Sequence, residues 1–237
     1  MTANDLMHEL DGLANPQDAE FLQRFFKTYD GGYAEGDQFI GLRVPLTRRI
    51  AGKYNSLLLS EVEKLLDSPI HEHRLAGLVI MVNQAKKAEE PQLKQLYELY
   101  LKRTDRINNW DLVDVSCRDI VGRYLFDKPK NPLYRLAKSK DVWERRIAIV
   151  STWQFIRAGR MQETWKIAEI LLGDKHDLIH KAVGWMLREA GKRDEAGLKQ
   201  FLDKHAKTMP RTMLRYSLER LHPNDKAHYM RQKQCKQ

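Results

Sequence analysis

The segment Trp110-Asp111-Leu112-Val113-Asp114 holds an aromatic side chain and two carboxylates. Trp110 and Asp114 are four residues apart, which puts them on one face of a helix. Val113, Cys117 and Val121 define a different, apolar face, so Asp114 is either exposed or buried with partners. Such a pair offers a flat apolar surface beside a fixed negative charge. One carboxylate so placed can stabilise a developing positive charge or orient a water molecule. The plainer alternative is a tryptophan at the edge of the core beside a solvated aspartate.

Three basic segments follow. In Val142-Trp143-Glu144-Arg145-Arg146-Ile147-Ala148-Ile149, Ile147 and Val150 belong to the core side, and Arg145 and Arg146 cannot both share it. A guanidinium at Arg146 forks onto a phosphate or pairs with a carboxylate; a surface arginine paired with Glu144 or Asp141 is the alternative. In Lys181-Ala182-Val183-Gly184-Trp185-Met186-Leu187-Arg188, the spacing of Lys181, Trp185 and Arg188 permits a basic-aromatic-basic stripe suited to phosphates beside a sugar or base. Trp185 as a core residue competes with that reading. Gly184 costs a helix about 1 kcal/mol relative to alanine, which implies close packing or close ligand approach. Arg211 and Arg215, again four apart, make a phosphate-binding face or an ordinary solvated one.

Other chemistries find no support. The chain has no glycine-rich phosphate loop and no nucleophile elbow. His176 and His180 have the spacing of metal ligands, but no zincin glutamate and no third ligand is near, so a solvated or capping pair is the better reading. Two cysteines, Cys117 and Cys235, cannot build a disulfide framework, and a reducing cytosol is the expected compartment. The polar, acidic N-terminus is unlike a secretory signal, and no apolar run of membrane-spanning length exists.

Helices must position these residues. Apolar residues recur at spacings of three and four almost from end to end, and no strand alternation appears, with only Gln38 to Val44 ambiguous. Pro16, Pro45 and Pro91 suit first turns, Ser60 with Glu63 has capping-box spacing, and Asn108 or Asn109 suits a cap before Trp110. Gly159, Gly173 and Gly191 fall where helices should stop. Five helices align on Arg74, Asp114, Arg146, Lys181 and Arg211, at intervals of 40, 32, 35 and 30 residues. That rhythm predicts an all-α fold. It reads as one α-solenoid domain of about six antiparallel HEAT-like helix pairs, with the aligned charges facing a concave basic groove. Residues 1–15 and 224–237 are expected to be poorly ordered tails.

Charge points to the partner. Residues 1–40 hold eight acids and two bases, so the other 197 residues carry a net +15 within a total of +9. A basic body of this kind suggests a polyanion, most simply nucleic acid. A soluble protein that is merely basic is the alternative.

Taken together, Trp110-Asp-x-Val-Asp114, Trp143-x-x-Arg146-x-Ala-Ile and Lys181-Ala-x-Gly-Trp185-x-Leu-Arg-Glu resemble the AlkD-like DNA alkylation repair family. Gly41-Leu42-Arg43-Val44-Pro45 is similar to that family's Gly-Ile-x-Thr-Pro segment, with Val44 in place of Thr, and Pro210 to Tyr216 resembles its C-terminal part. The resemblance implies a HEAT-like solenoid that wraps duplex DNA. The activity it implies is that of a monofunctional glycosylase removing N3- and N7-alkylated purines to leave an apurinic site. No metal or organic cofactor is implied, and the damaged base is not drawn into a pocket. It makes Asp114 catalytic and sets Trp110 and Trp185 beside the lesion. Arg146 becomes a phosphate ligand and Arg48 a backbone contact; Lys181, Arg188, Arg211 and Arg215 extend the basic surface. The chain is then a monomer in a bacterial-type cytosol, meeting the nucleoid through DNA and no membrane. Alkylation at N3 or N7 leaves the purine cationic and a good leaving group, so stabilising an oxocarbenium-like sugar is what remains. One acid and two aromatic faces suffice for that. The competing reading is a non-catalytic HEAT-like module that binds distorted or branched DNA; a protein-binding scaffold is a third.

Overall fold

A computed structural model describes residues 1–232; Cys235 lies outside them. The chain divides into two compact units, 1–124 and 125–237, where the sequence reading took it as one domain. The first unit contains α1 (Ala3–Asp11), α2 (Pro16–Phe26), α3 (Val44–Ala51), α4 (Leu59–Asp67), α5 (His71–Lys87), α6 (Glu90–Lys102) and α7 (Trp110–Cys117), which runs on into a π-helical turn, Arg118–Gly122. The second contains α8 (Asn131–Ala137), α9 (Val142–Ser151), α10 (Trp153–Arg157), α11 (Gln162–Ile170), α12 (Asp177–Gly191), α13 (Glu195–His205), α14 (Arg211–Ser217) and α15 (Pro223–Arg231). The fold is all-α and HEAT-like: α4 packs on α5, α8 on α9 and α12 on α14, and the described residues hold no strand. The ambiguous stretch 38–44 contributes one isolated bridge, Gln38 to Ile70.

Caps fix the boundaries. Asn109 Oδ1 accepts the Trp110 N–H at 2.8 Å, and Asp141 Oδ1 accepts those of Trp143 and Glu144. Ser60 is no cap: α4 starts at Leu59 without a side-chain cap. The expected N-terminal tail is instead α1, because Thr2 and Asp5 form a capping box and Ala3, Leu6 and Leu10 are buried. At the other end α15 runs to Arg231 from a His222 cap, with Tyr229 buried.

The core of the first unit is built around α5, which is buried on every side from His71 to Val82. The helix opens with four polar residues, His71-Glu72-His73-Arg74, each no more than 2% exposed. Buried polar groups must be hydrogen-bonded, so each has taken a partner. Glu72 accepts the backbone N–H groups of Ile40, Gly41 and Leu42. His73 pairs with Ser68 Oγ and Asp11, and Arg74 with Asp37 and the carbonyls of Ser68 and Pro69. Arg74 is therefore interior and no part of a charged surface. Gly41 has φ +88, and a Cβ there would meet the Asn15 carbonyl at 2.1 Å, so only glycine lets this loop pass the start of α2.

In the second unit, Gly184 answers its own question. A Cβ at this position would meet Tyr216 Cβ at 2.5 Å and the Met213 carbonyl at 2.6 Å, so the missing side chain is what brings α12 and α14 together.

Candidate active site

Asn109 starts α7 so that Trp110 and Asp114 share one side of the helix, and both are half-buried. They line a cavity of about 380 Å³ wholly within the first unit, together with Phe21, Phe25, Phe26 and Phe39. The Trp110 ring stacks on Phe26 at 5.3 Å and meets Phe25 edge-on at 6.2 Å. Its indole N–H donates to Tyr33 Oη at 3.1 Å. Phe26 stacks on Phe39 at 4.9 Å, and Phe39 on the His71 ring at 4.4 Å. An aromatic column thus runs from Trp110 down to a buried imidazole.

The base of that column is charged. His71 Nδ1 lies 3.1 Å from Asp37 and Nε2 lies 2.8 Å from Asp111. Burial alone would push the imidazole down, but the Asp111 and Asp37 carboxylates outweigh it and raise it to about 9. His71 is therefore an imidazolium at neutral pH, donating from both nitrogens. Burial works against ionisation of Asp37 too, yet the His71 hydrogen bond and the Arg74 guanidinium hold its carboxyl below the usual range. Asp111 also accepts the Leu112 N–H at 2.8 Å. Of the two acids in the motif, Asp111 is locked into the core and Asp114 is on the cavity wall.

The remaining expected site residues separate by unit. Arg48 is exposed on α3 of the first unit. Arg146, Trp185, Lys181, Arg188, Arg211 and Arg215 belong to the second. Arg146 is 5% exposed and donates from Nη1 to the Leu178 carbonyl at 2.7 Å, on the helix that carries Trp185. Arg145, expected to point the other way, is also mostly buried and reaches Asp174 at 2.6 Å. The Trp185 ring is half-buried and stands edge-on to Trp153 at 5.2 Å. Lys181 pairs with Asp177 at 2.7 Å, and Arg188 with Glu219. Arg211 donates to the Met230 carbonyl, and both Arg211 and Arg215 are exposed. The aligned charges therefore do not share one environment.

His176 caps α12, its ring nitrogen accepting the Leu178 N–H. Among the described residues, no group of three or more His, Cys, Asp or Glu is placed to hold a metal ion, and no helix is long and apolar enough to cross a membrane.

The sequence sets Phe21, Phe25 and Phe26 along one side of a helix, but their place at the site, and that of Phe39, Tyr33 and the Asp37–His71–Asp111 cluster, lay outside the sequence reading. A signal existed in α5, which opens with four polar residues and then has no polar face, so its polar start had to be buried and paired.

Comparison with solved structures supports this helical architecture. A protein described as a predicted DNA alkylation repair enzyme from Enterococcus faecalis superposes with a TM-score of 0.69 at 14% identity, covering 89% of this chain and 97% of that one. The smu.31 protein of Streptococcus mutans UA159 superposes with a TM-score of 0.50 at 17% identity, over 84% and 96% of the two chains. No curated protein matches by sequence. The family model for DNA alkylation repair enzymes matches residues 6–221, taking in the Trp110–Asp114 turn, the aromatic cavity and the basic helices. The chain belongs to the DNA alkylation repair enzyme family.

Proposed function

We propose that the protein is a DNA glycosylase that hydrolyses the N-glycosidic bond of N3- or N7-alkylated purines in duplex DNA and leaves an apurinic site. The observation that carries this reading is Asp114, a half-buried carboxylate one helical turn from Trp110 on the wall of an aromatic cavity. As the C1′–N bond breaks, its electron pair goes to the cationic purine, which leaves neutral. The sugar becomes oxocarbenium-like, and a carboxylate beside it lowers that barrier electrostatically. Water then adds to C1′ and loses a proton. Trp110 supports the positive charge through its ring face. In the second unit Trp185 takes the equivalent role toward the lesion. Arg48, Arg146, Lys181, Arg188, Arg211 and Arg215 hold the phosphates, and the net +15 over residues 41–237 supplies the attraction. No organic cofactor or metal takes part, and the protein acts as a monomer.

The test is release of free alkylpurine from methylated duplex DNA under single-turnover conditions, with undamaged duplex as the control. Excision by wild type and its loss in Asp114→Asn support the reading. Tight duplex binding with no release of base would replace the enzyme with a DNA-binding module.

A further inference from the structure

The second unit holds a concavity that the chemistry at Asp114 does not use. It measures about 350 Å³ and lies where the C-terminal ends of α12 and α14 meet the start of α13. Four bases line it: Arg188 in the last turn of α12, Lys192 at its cap, Arg193 just beyond, and Arg220 after the end of α14. Leu198 and Leu221, both buried, make part of its wall. The volume falls within the size of small-molecule sites, about 300–1,000 Å³.

Two of these bases are already matched. Arg188 pairs with Glu219, and Lys192 with Glu189 at 2.7 Å. Glu195, an acid on the wall, is engaged by Lys199 at 2.9 Å. Arg193 and Arg220 are left over: neither has an ion pair or hydrogen bond with another described residue. Bases at helix C-termini complement the helix dipole, which accounts for their place along the chain. It does not account for two unmatched guanidiniums on one concavity. Each raises the energy of the other, and more so beside an apolar wall. A bound anion removes that repulsion, and the guanidinium fork fits phosphate oxygens in pairs. Two surplus positive charges favour a doubly charged ligand. A phosphate monoester carries about −1.5 to −2 at neutral pH, whereas a phosphate within a DNA strand carries only about −1.

We propose that this concavity binds a phosphate monoester, held between Arg193 and Arg220. Its source is the terminal phosphate of a DNA strand or that of a free nucleotide. The site shares no residue with the Asp114 cavity, and the proposal does not depend on the glycosylase reading.

The experiment titrates the full-length protein with adenosine 5′-monophosphate and with adenosine, followed by NMR. Binding isotherms are measured beside it for short duplexes with and without a 5′-terminal phosphate. Wild type is compared with Arg193→Gln/Arg220→Gln and with Arg193→Lys/Arg220→Lys, which keeps the charge and loses the fork; each is melted to confirm its fold. The expected result is that wild type binds the monophosphate at least about tenfold more tightly than adenosine, and more tightly at pH 7 than at pH 5, as the phosphate loses its second proton near about pH 6. The Gln variant loses that preference and the Lys variant loses part of it. A preference for the phosphorylated duplex, lost in the Gln variant, assigns the strand end as the source. Monophosphate binding with no preference between the duplexes assigns the free nucleotide. Equal binding of monophosphate and adenosine by wild type overturns the proposal, as does a folded Gln variant that binds like wild type. Should the Gln variant not fold, a Lys variant that binds like wild type overturns it. A Gln variant that only melts lower, in a protein that binds no monophosphate, reduces the two arginines to charges at helix ends.

Discussion

Asp111 Oδ2 lies 2.8 Å from His71 Nε2, so the first acid of the Trp110–Asp114 motif joins α7 to α5 across the core. Asp111→Asn leaves a buried imidazolium facing a neutral amide, and should cost about 3 kcal/mol of stability. Urea unfolding at pH 7 measures it, and a variant as stable as wild type would sink the structural role.

The same cluster sets a pH dependence. His71 rises from 6.5 to about 9 on folding, so its stabilisation is whole below pH 6.5 and is lost as pH climbs toward 9. Asp37 is lowered from 3.8, so its contribution is present above that pH and fades below it. Stability should therefore be highest between about pH 4 and 6.5 and decline on the alkaline side. Denaturant titrations at pH 6 and pH 9.5 test this; equal midpoints would contradict the ionic reading of His71.

Asp114→Asn keeps the size of the side chain and removes its charge. Melting temperature should stay near wild type and duplex affinity should be unchanged or higher. Single-turnover excision of alkylpurine should fall by about a hundredfold, on the order of 3 kcal/mol. Excision at the wild-type rate would strike Asp114 from the chemistry.

Duplex affinity should be steeply salt-dependent. If about six phosphates are neutralised, log affinity falls against log salt with a slope of roughly −5. Reversing Arg215, which is exposed, to Glu should weaken binding to damaged and undamaged duplex alike without changing melting. Arg146→Glu places a carboxylate in a buried site that faces the Leu178 carbonyl, and should lower melting as well as binding. Thermal melts beside binding isotherms separate the two arginines, and a salt slope near zero would favour a protein-binding scaffold.

The helices were legible because their apolar spacing repeats and because Asn109, Pro45 and Pro91 mark their starts. Trp110 and Asp114 were legible for the same reason, since four residues make one turn. The cavity was not. Phe21 and Phe25 occupy helix positions like any core phenylalanine, yet their rings are 49% and 53% exposed. Arg74 misled for the opposite reason: its alignment with Asp114 and Arg146 says which turn it occupies but not that Asp37, 37 residues earlier, waits there to bury it.

The Glu72 carboxylate does for residues 40–42 what a neighbouring strand does in a sheet. Three consecutive amides of a loop without secondary structure end on one buried side chain, about thirty positions away. Those amides should exchange hydrogen with solvent as slowly as the core helix α5 that holds them, opening only when the first unit unfolds. The rim of the cavity at Leu42 is therefore a fixed edge.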